Sequence, residues 1–351
     1  MKDEYGKMDD SGETYAVKTF SLESGDVLEN AEIRYNCYGT LNAKKDNVLV
    51  VCHALTGNAS LHTWWGDLLG EGKAFDTSRY FVVCANILGS CYGSSGPTSI
   101  DPSSGKPYGI KFPTITIRDT VMMQMNMVKY GIGASSVACV VGGSMGGMQA
   151  LEWACLGEEY VRSSIVIGCG SAHSAWQISI SEAQRQAIYA DENWNDGLID
   201  PENPVKRGLS VARQFAMITY RTAKGYEKKF GRNKNGKSGS WEAKCYLEYQ
   251  GEKFLDRFDA ITYVKLTEQM DTHDVGRGRG GVANALKEIS CPTLIMGIDS
   301  DVLYPLYEQE EMADMIPSSQ FMIISSTDGH DGFLLEKDQV SKNITSFLSH
   351  Q

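Results

Sequence analysis

Short apolar runs alternate with stretches of helical spacing along most of the chain. The segments 47–52, 80–85, 137–141, 164–167, 293–297 and 321–324 are dominated by Val, Ile, Leu, Cys, Met and Phe, the pattern of strands buried on both faces. Between them, 116–130 and 145–156 carry apolar residues three and four apart, as the core face of a helix does. This alternation predicts an α/β fold with a mainly parallel sheet covered on both faces, its functional groups gathered at the carboxyl ends of the strands. The alternation stops near Ala172 and resumes near Pro292. Helical patterns at 181–190, 205–222 and 256–270 fill the interval and predict an inserted helical lid, within which the polar, glycine-rich stretch 231–240 reads as a solvated loop. The predicted organisation is a polar tail over 1–14, a core built from 15–172 and 291–351, and a lid over 173–290.

Composition narrows the function. A chain of 351 residues with 42% hydrophobic content can bury a sizeable core. Its formal net charge of −11 and its lack of long Lys/Arg runs argue against nucleic acid as a partner. Nine cysteines, scattered without CxxC pairs and often inside apolar runs (Cys52, Cys84, Cys139), point to a reducing compartment. The acidic N-terminus lacks the apolar core of a signal peptide, and no apolar run approaches the ~18 residues of a membrane span. The expectation is a cytoplasmic protein that engages neither membrane nor nucleic acid.

The chemistry starts at VVGGSMGGMQALEWA, residues 140–154, where a predicted strand runs into a glycine cluster and then a predicted helix. Gly142-x-Ser144-x-Gly146 is the nucleophile-elbow pattern: a tight strand-to-helix turn lifts the Ser144 hydroxyl above the sheet edge. It also places the Met145 N–H at a helix start, where free amides can hold a developing negative charge. A dinucleotide fingerprint fails because GxGxxG needs glycine where Ser144 stands. In this fold the partners should follow in the order Ser, acid, His. GIDSDVLYP at 297–305 follows a predicted strand and offers Asp299 or Asp301, and His330 lies after the last strand in the run STDGHDGFL at 326–334. A second oxyanion amide is expected from HALTG at 53–57, where His53 reads as structural rather than as a metal ligand with His62. No metal site is expected.

Taken together, GGSMGGMQALEW at 142–153, HALTGN at 53–58, NILGSCYGSSGP at 86–97, FPTITIRD at 112–119 and GHDGF at 329–333 resemble the homoserine O-acetyltransferases, enzymes of the α/β-hydrolase fold in methionine biosynthesis. The likeness spans nearly the whole chain after the tail. Ser90 is a departure, since relatives commonly have glycine there.

The resemblance implies acetyl transfer from acetyl-CoA, a co-substrate and not a bound cofactor, to the hydroxyl of L-homoserine by a ping-pong route through acetyl-serine. Ser144 is then the nucleophile, His330 the base, Asp301 the acid, and the Leu55 and Met145 amides the oxyanion hole. Arg213, Tyr220 and Asp331 fall to the amino-acid acceptor. Arg213 and Tyr220 are seven apart, two turns along one helix face, so both can address one ligand, the guanidinium forking onto a carboxylate while Asp331 takes the ammonium. Alternatives on the same scaffold are a serine O-acetyltransferase, a homoserine O-succinyltransferase and a serine esterase. The resemblance also implies a homodimer packed through the lid. In GRGRGG at 276–281, Arg277 and Arg279 are either candidate contacts for the CoA phosphates or part of a flexible loop.

Overall fold

The computed structural model describes Met8 and residues 11–351. In chain order the strands are β1 (Glu13–Ser21), β2 (Val27–Tyr38), β3 (Val48–Cys52), β4 (Phe81–Ala85), the two-residue β5 (Ile100–Asp101) and β6 (Lys106–Pro107), β7 (Val137–Gly143), β8 (Ser164–Ile167), β9 (Thr293–Ile298) and β10 (Ser319–Ile324). All but β5 and β6 form one sheet in the order β1-β2-β4-β3-β7-β8-β9-β10. From β4 through β10 every neighbouring pair is parallel, and β1 and β2 join one edge antiparallel.

The six strands read from the apolar runs are all present, because the central ones are buried on both faces. In β3, Val48, Val50 and Cys52 face one core while Leu49 and Val51 face the other. A fully buried Val or Leu contributes roughly 1.5–3 kcal/mol of transfer free energy, which makes this register costly to shift. On the first face lie α2 (Ile117–Asn126) and α3 (Met145–Gly157), and on the second α1 (Leu61–Trp64) and the later α12 (Lys337–Leu348). The helix expected over 116–130 gives way after Asn126 to a π-helical turn at Met127–Gly131.

The hairpin of β1 and β2 is a correction to the sequence reading. Its first strand begins at Glu13, inside the stretch assigned to the tail; most of that stretch lies outside the described residues.

Between β8 and β9 stand α4 (Ala175–Tyr189), α5 (Arg207–Thr219), α6 (Ala223–Phe230), α7 (Glu242–Phe254), α8 (Ala260–Asp271) and α9 (Val282–Lys287). After β9 come α10 (Leu306–Met315) and α11 (Gly332–Leu335). Helices α4, α5, α7 and α8 pack on one another over the carboxyl edge of the sheet, and α5 delivers lid residues to the loop that carries His330.

Candidate active site

Strand β7 is buried along its whole length and ends in a turn whose geometry is set by Ser144, at φ +58° and ψ −128°. This region is unfavourable for any residue with a Cβ and persists only where the surroundings enforce it. Here the Ser144 N–H donates to Ile167 O of β8 at 2.9 Å and its carbonyl accepts from Met148 N at 3.1 Å. The flanking glycines permit the close approach: a Cβ on Gly142 would overlap the Gly146 carbonyl oxygen, and one on Gly146 would overlap the Cys52 carbonyl. The sheet end, the elbow and the loop after β3 are thereby drawn together. Met145 opens α3, so its N–H has no carbonyl one turn back to bind.

His330 follows β10 in a short 3-10 turn and is buried. Its Nδ1–H donates to Asp301 Oδ2 at 2.6 Å, while Asp301 Oδ1 accepts from the Leu303 and Tyr304 amides at 2.8 and 2.9 Å. Both carboxylate oxygens are thus committed and the imidazole is oriented. The sequence left two aspartates open after β9, and the structure places Asp301 against the histidine. Asp299 instead ties the loop after β10, accepting from Ser325 Oγ at 2.8 Å and Ser326 N at 3.0 Å. Burial alone would depress the His330 pKa, but the charge and hydrogen bond of Asp301, helped by Asp331, outweigh it and raise it above the ordinary histidine value. Nε2 of His330 is buried and makes no hydrogen bond to a described residue. Gly168, which follows the Ile167 that receives the Ser144 N–H, lies beside His330 Cε1 and Asp301 Oδ2, so serine, histidine and aspartate meet at one end of the sheet.

The loop after β3 closes a turn at Ala54–Leu55–Thr56–Gly57, with Gly57 N donating to Ala54 O at 2.8 Å. The same carbonyl accepts from His53 Nδ1 at 2.9 Å. Two donors therefore fix the Ala54–Leu55 peptide plane and with it the direction of the Leu55 N–H. Burial lowers the His53 pKa to about 4, against the pull of that backbone bond, and the ring stays neutral. Gln149, on the second turn of α3, donates to both His53 O at 3.1 Å and Met145 O at 3.0 Å. It is held in turn by Gln124 at 2.9 Å, which Trp153 also contacts. This buried chain of amides locks the two candidate oxyanion donors in register, and nothing in the local sequence pattern signals it.

Arg213 and Tyr220 share a face of the lid as their spacing requires, the guanidinium lying 5.9 Å from the Tyr220 ring centroid and 5.0 Å from that of Phe254. Arg213 is 8% exposed, and its guanidinium makes no ion pair or hydrogen bond with a described residue. The Tyr220 ring stands 5.9 Å from that of His330. Asp331 donates its N–H to Tyr220 O at 3.2 Å, and its carboxylate is paired at 2.9 Å with Arg221, a residue the sequence reading missed. Burial raises the Asp331 pKa despite Arg221, His330 and Arg213, each of which pulls it down. Asp331 therefore has a cation already on Oδ2, which qualifies the expectation that it meets a ligand's ammonium alone.

Arg277 and Arg279, read from the sequence as CoA-phosphate contacts or as part of a flexible loop, are each engaged by a carboxylate. Arg277 pairs with Glu23 at 2.8 Å and Arg279 with Glu152 at 3.0 Å, and Arg118 bridges both glutamates at 2.8 and 2.6 Å. These pairs tie the 276–281 run to the core. His53 and His62 go separate ways, the latter to Tyr38 Oη at 2.9 Å, and among the described residues no group of three or more His, Cys, Asp or Glu is arranged to hold a metal ion. Ser90 is not among the residues of positive φ, so the departure from glycine carries no strain there.

A family model described as the alpha/beta hydrolase fold matches residues 47–337. The chain is 49% identical over 327 residues to a homoserine O-acetyltransferase of Chloroherpeton thalassium, across 93% of this chain and 86% of that one. Among solved structures, the homoserine O-acetyltransferase from Bacillus anthracis superposes with a TM-score of 0.88 at 25% identity, covering 96% of this chain and 97% of its own. Esterase E22 superposes with a TM-score of 0.89 at 25% identity, covering 96% and 99%. The elbow, the His330–Asp301 pair, the fold and these likenesses agree: the chain belongs to the α/β-hydrolase-fold family and, within it, to the homoserine O-acetyltransferases.

Proposed function

We propose that the protein transfers an acetyl group from acetyl-CoA to the hydroxyl of L-homoserine, a step of methionine biosynthesis, through an acetyl ester on Ser144. In the first half-reaction His330 Nε2 takes the Ser144 proton as Oγ attacks the thioester carbonyl. The Leu55 and Met145 N–H groups receive the oxyanion, and its collapse expels the CoA sulfur, which takes the proton back from His330. The homoserine hydroxyl then gives its proton to His330 and attacks the acetyl carbon, and Ser144 leaves with that proton.

The observation that carries transfer rather than hydrolysis is the buried Arg213. A desolvated guanidinium without a carboxylate is costly, and one held between Phe254 and Tyr220, beside His330, is suited to the carboxylate of an amino acid. The test is a steady-state assay crossing acetyl-CoA and succinyl-CoA with homoserine, serine and no acceptor. Acetyl transfer to homoserine is expected to dominate; rapid release of acetate without an acceptor would favour the esterase reading that likeness to esterase E22 suggests.

Arg213→Ala is expected to lower homoserine kcat/KM by roughly 30-fold or more, since truncating one partner of a desolvated charge pair costs about 2–5 kcal/mol. Acetylation of the enzyme in stopped flow without homoserine should stay near the wild-type rate. Arg213→Lys should recover only part of the loss, because an ammonium keeps the charge but not the planar fork. Equal losses in both half-reactions would remove Arg213 from the acceptor site.

The lid also supports a homodimer. Val211, Phe215 and Ile218 line the outer face of α5, 45%, 37% and 49% exposed, while Leu209, Ala212 and Ala216 face inward. Light scattering after size exclusion should give a dimer for the wild type and a monomer for Phe215→Lys with Ile218→Asp; a monomeric wild type would exclude this assembly.

A further inference from the structure

Arg257 lies in the turn between α7 and α8, two hundred residues from the loop after β3, yet its guanidinium reaches that loop. Nη1 donates to Thr56 O at 2.8 Å and to Tyr92 Oη at 2.8 Å, and Nη2 lies 3.5 Å from Thr56 Oγ1. Its own carbonyl accepts Cys91 Sγ at 3.8 Å, and its guanidinium lies 5.0 Å from the centroid of the Phe254 ring, the ring Arg213 also stacks against. The residue is 9% exposed and Thr56 3%.

The contact falls on a particular peptide. The Thr56–Gly57 unit gives its N–H to Ala54 O and its C=O to Arg257, so both ends are pinned, one by the turn and one by the lid. The Ala54 carbonyl it grips belongs to the peptide plane that presents the Leu55 N–H. Without the guanidinium the Thr56 carbonyl would lose its charged donor, and the turn could rotate about Thr56 and carry the Leu55 N–H off its line. A catalytic donor displaced by about 1 Å can cost on the order of 100-fold in rate.

We propose that Arg257 is a positioning residue through which the lid holds the Leu55 oxyanion donor in place for acylation of Ser144. This rests on the reading that Ser144 is acylated and adds a requirement to it: acyl transfer depends on lid docking even for a donor that never touches the acceptor site. The shared Phe254 ring puts the Arg257 clamp and the Arg213 clamp on one support.

The experiment uses p-nitrophenyl acetate, a small acyl donor that needs neither CoA contacts nor an amino acid, and follows the p-nitrophenol burst of the full-length enzyme. Arg257→Met, which keeps the apolar stem, is expected to lower the burst rate constant by about 10- to 100-fold while the concentration of ester giving half-saturation stays near the wild-type value. In Arg257→Ala, millimolar guanidinium should restore part of the rate and the same concentration of ammonium should not. A burst rate in Arg257→Met within about twofold of wild type overturns the proposal, as does an Arg257→Ala defect that guanidinium leaves untouched. A wild type that neither releases p-nitrophenol nor takes up an acetyl group on Ser144 would instead defeat the acylation on which the proposal rests.

Discussion

Ser144→Ala is expected to fold and to lose acetyl transfer by about 10⁶ in kcat, the scale on which a triad enzyme suffers when its nucleophile is removed. Alanine keeps the Cβ and occupies the same strained turn at φ +58°, so its stability should match wild type. Intact-protein mass spectrometry after incubation with acetyl-CoA alone should find an acetyl adduct on Ser144 in the wild type and none in the variant. Ser144→Gly offers an internal control: equally inactive, it should be more stable by about 1 kcal/mol or more in denaturant titration, because glycine accepts this backbone without strain. Near-normal turnover in either variant would end the acyl-serine mechanism. An unchanged stability in the glycine variant would mean that the elbow stores no strain.

Asp301→Asn is expected to cost about 10⁴ in kcat, by analogy with the serine proteases, where the corresponding change leaves the geometry but spoils the tautomer of the histidine. The two amides that hold Asp301 Oδ1 should hold an asparagine oxygen as well, so the loss is electrostatic and not structural. The acid limb of the acylation rate adds a second readout. His330 must be neutral to accept the proton, and its pKa is raised by Asp301 against the effect of burial. Wild-type activity should therefore rise with pH through a midpoint above the ordinary histidine value of about 6.5. With Asp301 neutralised, only Asp331 opposes burial and the midpoint should move to lower pH. Asp299→Asn should leave both rate and limb nearly unchanged, since Asp299 serves the Ser325–Ser326 turn. A reversed outcome would exchange the roles of the two aspartates.

The elbow and its two partners were legible because each sits directly after a strand that is apolar along its length, and a run buried on both faces needs no distant information to be recognised. The order of serine, acid and histidine followed from the fold that alternation implied. Asp299 and Asp301 could not be separated that way, since they leave the same strand two residues apart; the family resemblance favoured one, and the distances to His330 single it out. The hairpin at the sheet edge escaped notice for a local reason. Along β2 the buried apolar positions are Leu28 and then Ala31, Ile33 and Tyr35, so the alternation changes phase at Asn30, whose φ is +50°, and a strict period of two fails. β1 buries Phe20 alone and half-buries Tyr15 and Val17, which lie on the opposite face, so it too lacks a strict period of two.

Local periodicity and turn chemistry, both written within a few residues, determined the parallel strands, the glycine-lined elbow and the shared face of Arg213 and Tyr220. The partners of the arginines were decided by the tertiary structure alone. Arg277 and Arg279 look like a phosphate loop until Glu23 and Glu152 are brought against them. Arg221 and Arg257 look like ordinary lid residues until Asp331 and Thr56 stand at hydrogen-bond distance. Apolar burial is non-directional and can be read from one segment at a time, whereas the worth of a cation depends on which carboxylate or carbonyl lies within a few ångströms and how much water is excluded. Those distances join segments more than one hundred and up to 254 residues apart, and folding sets them.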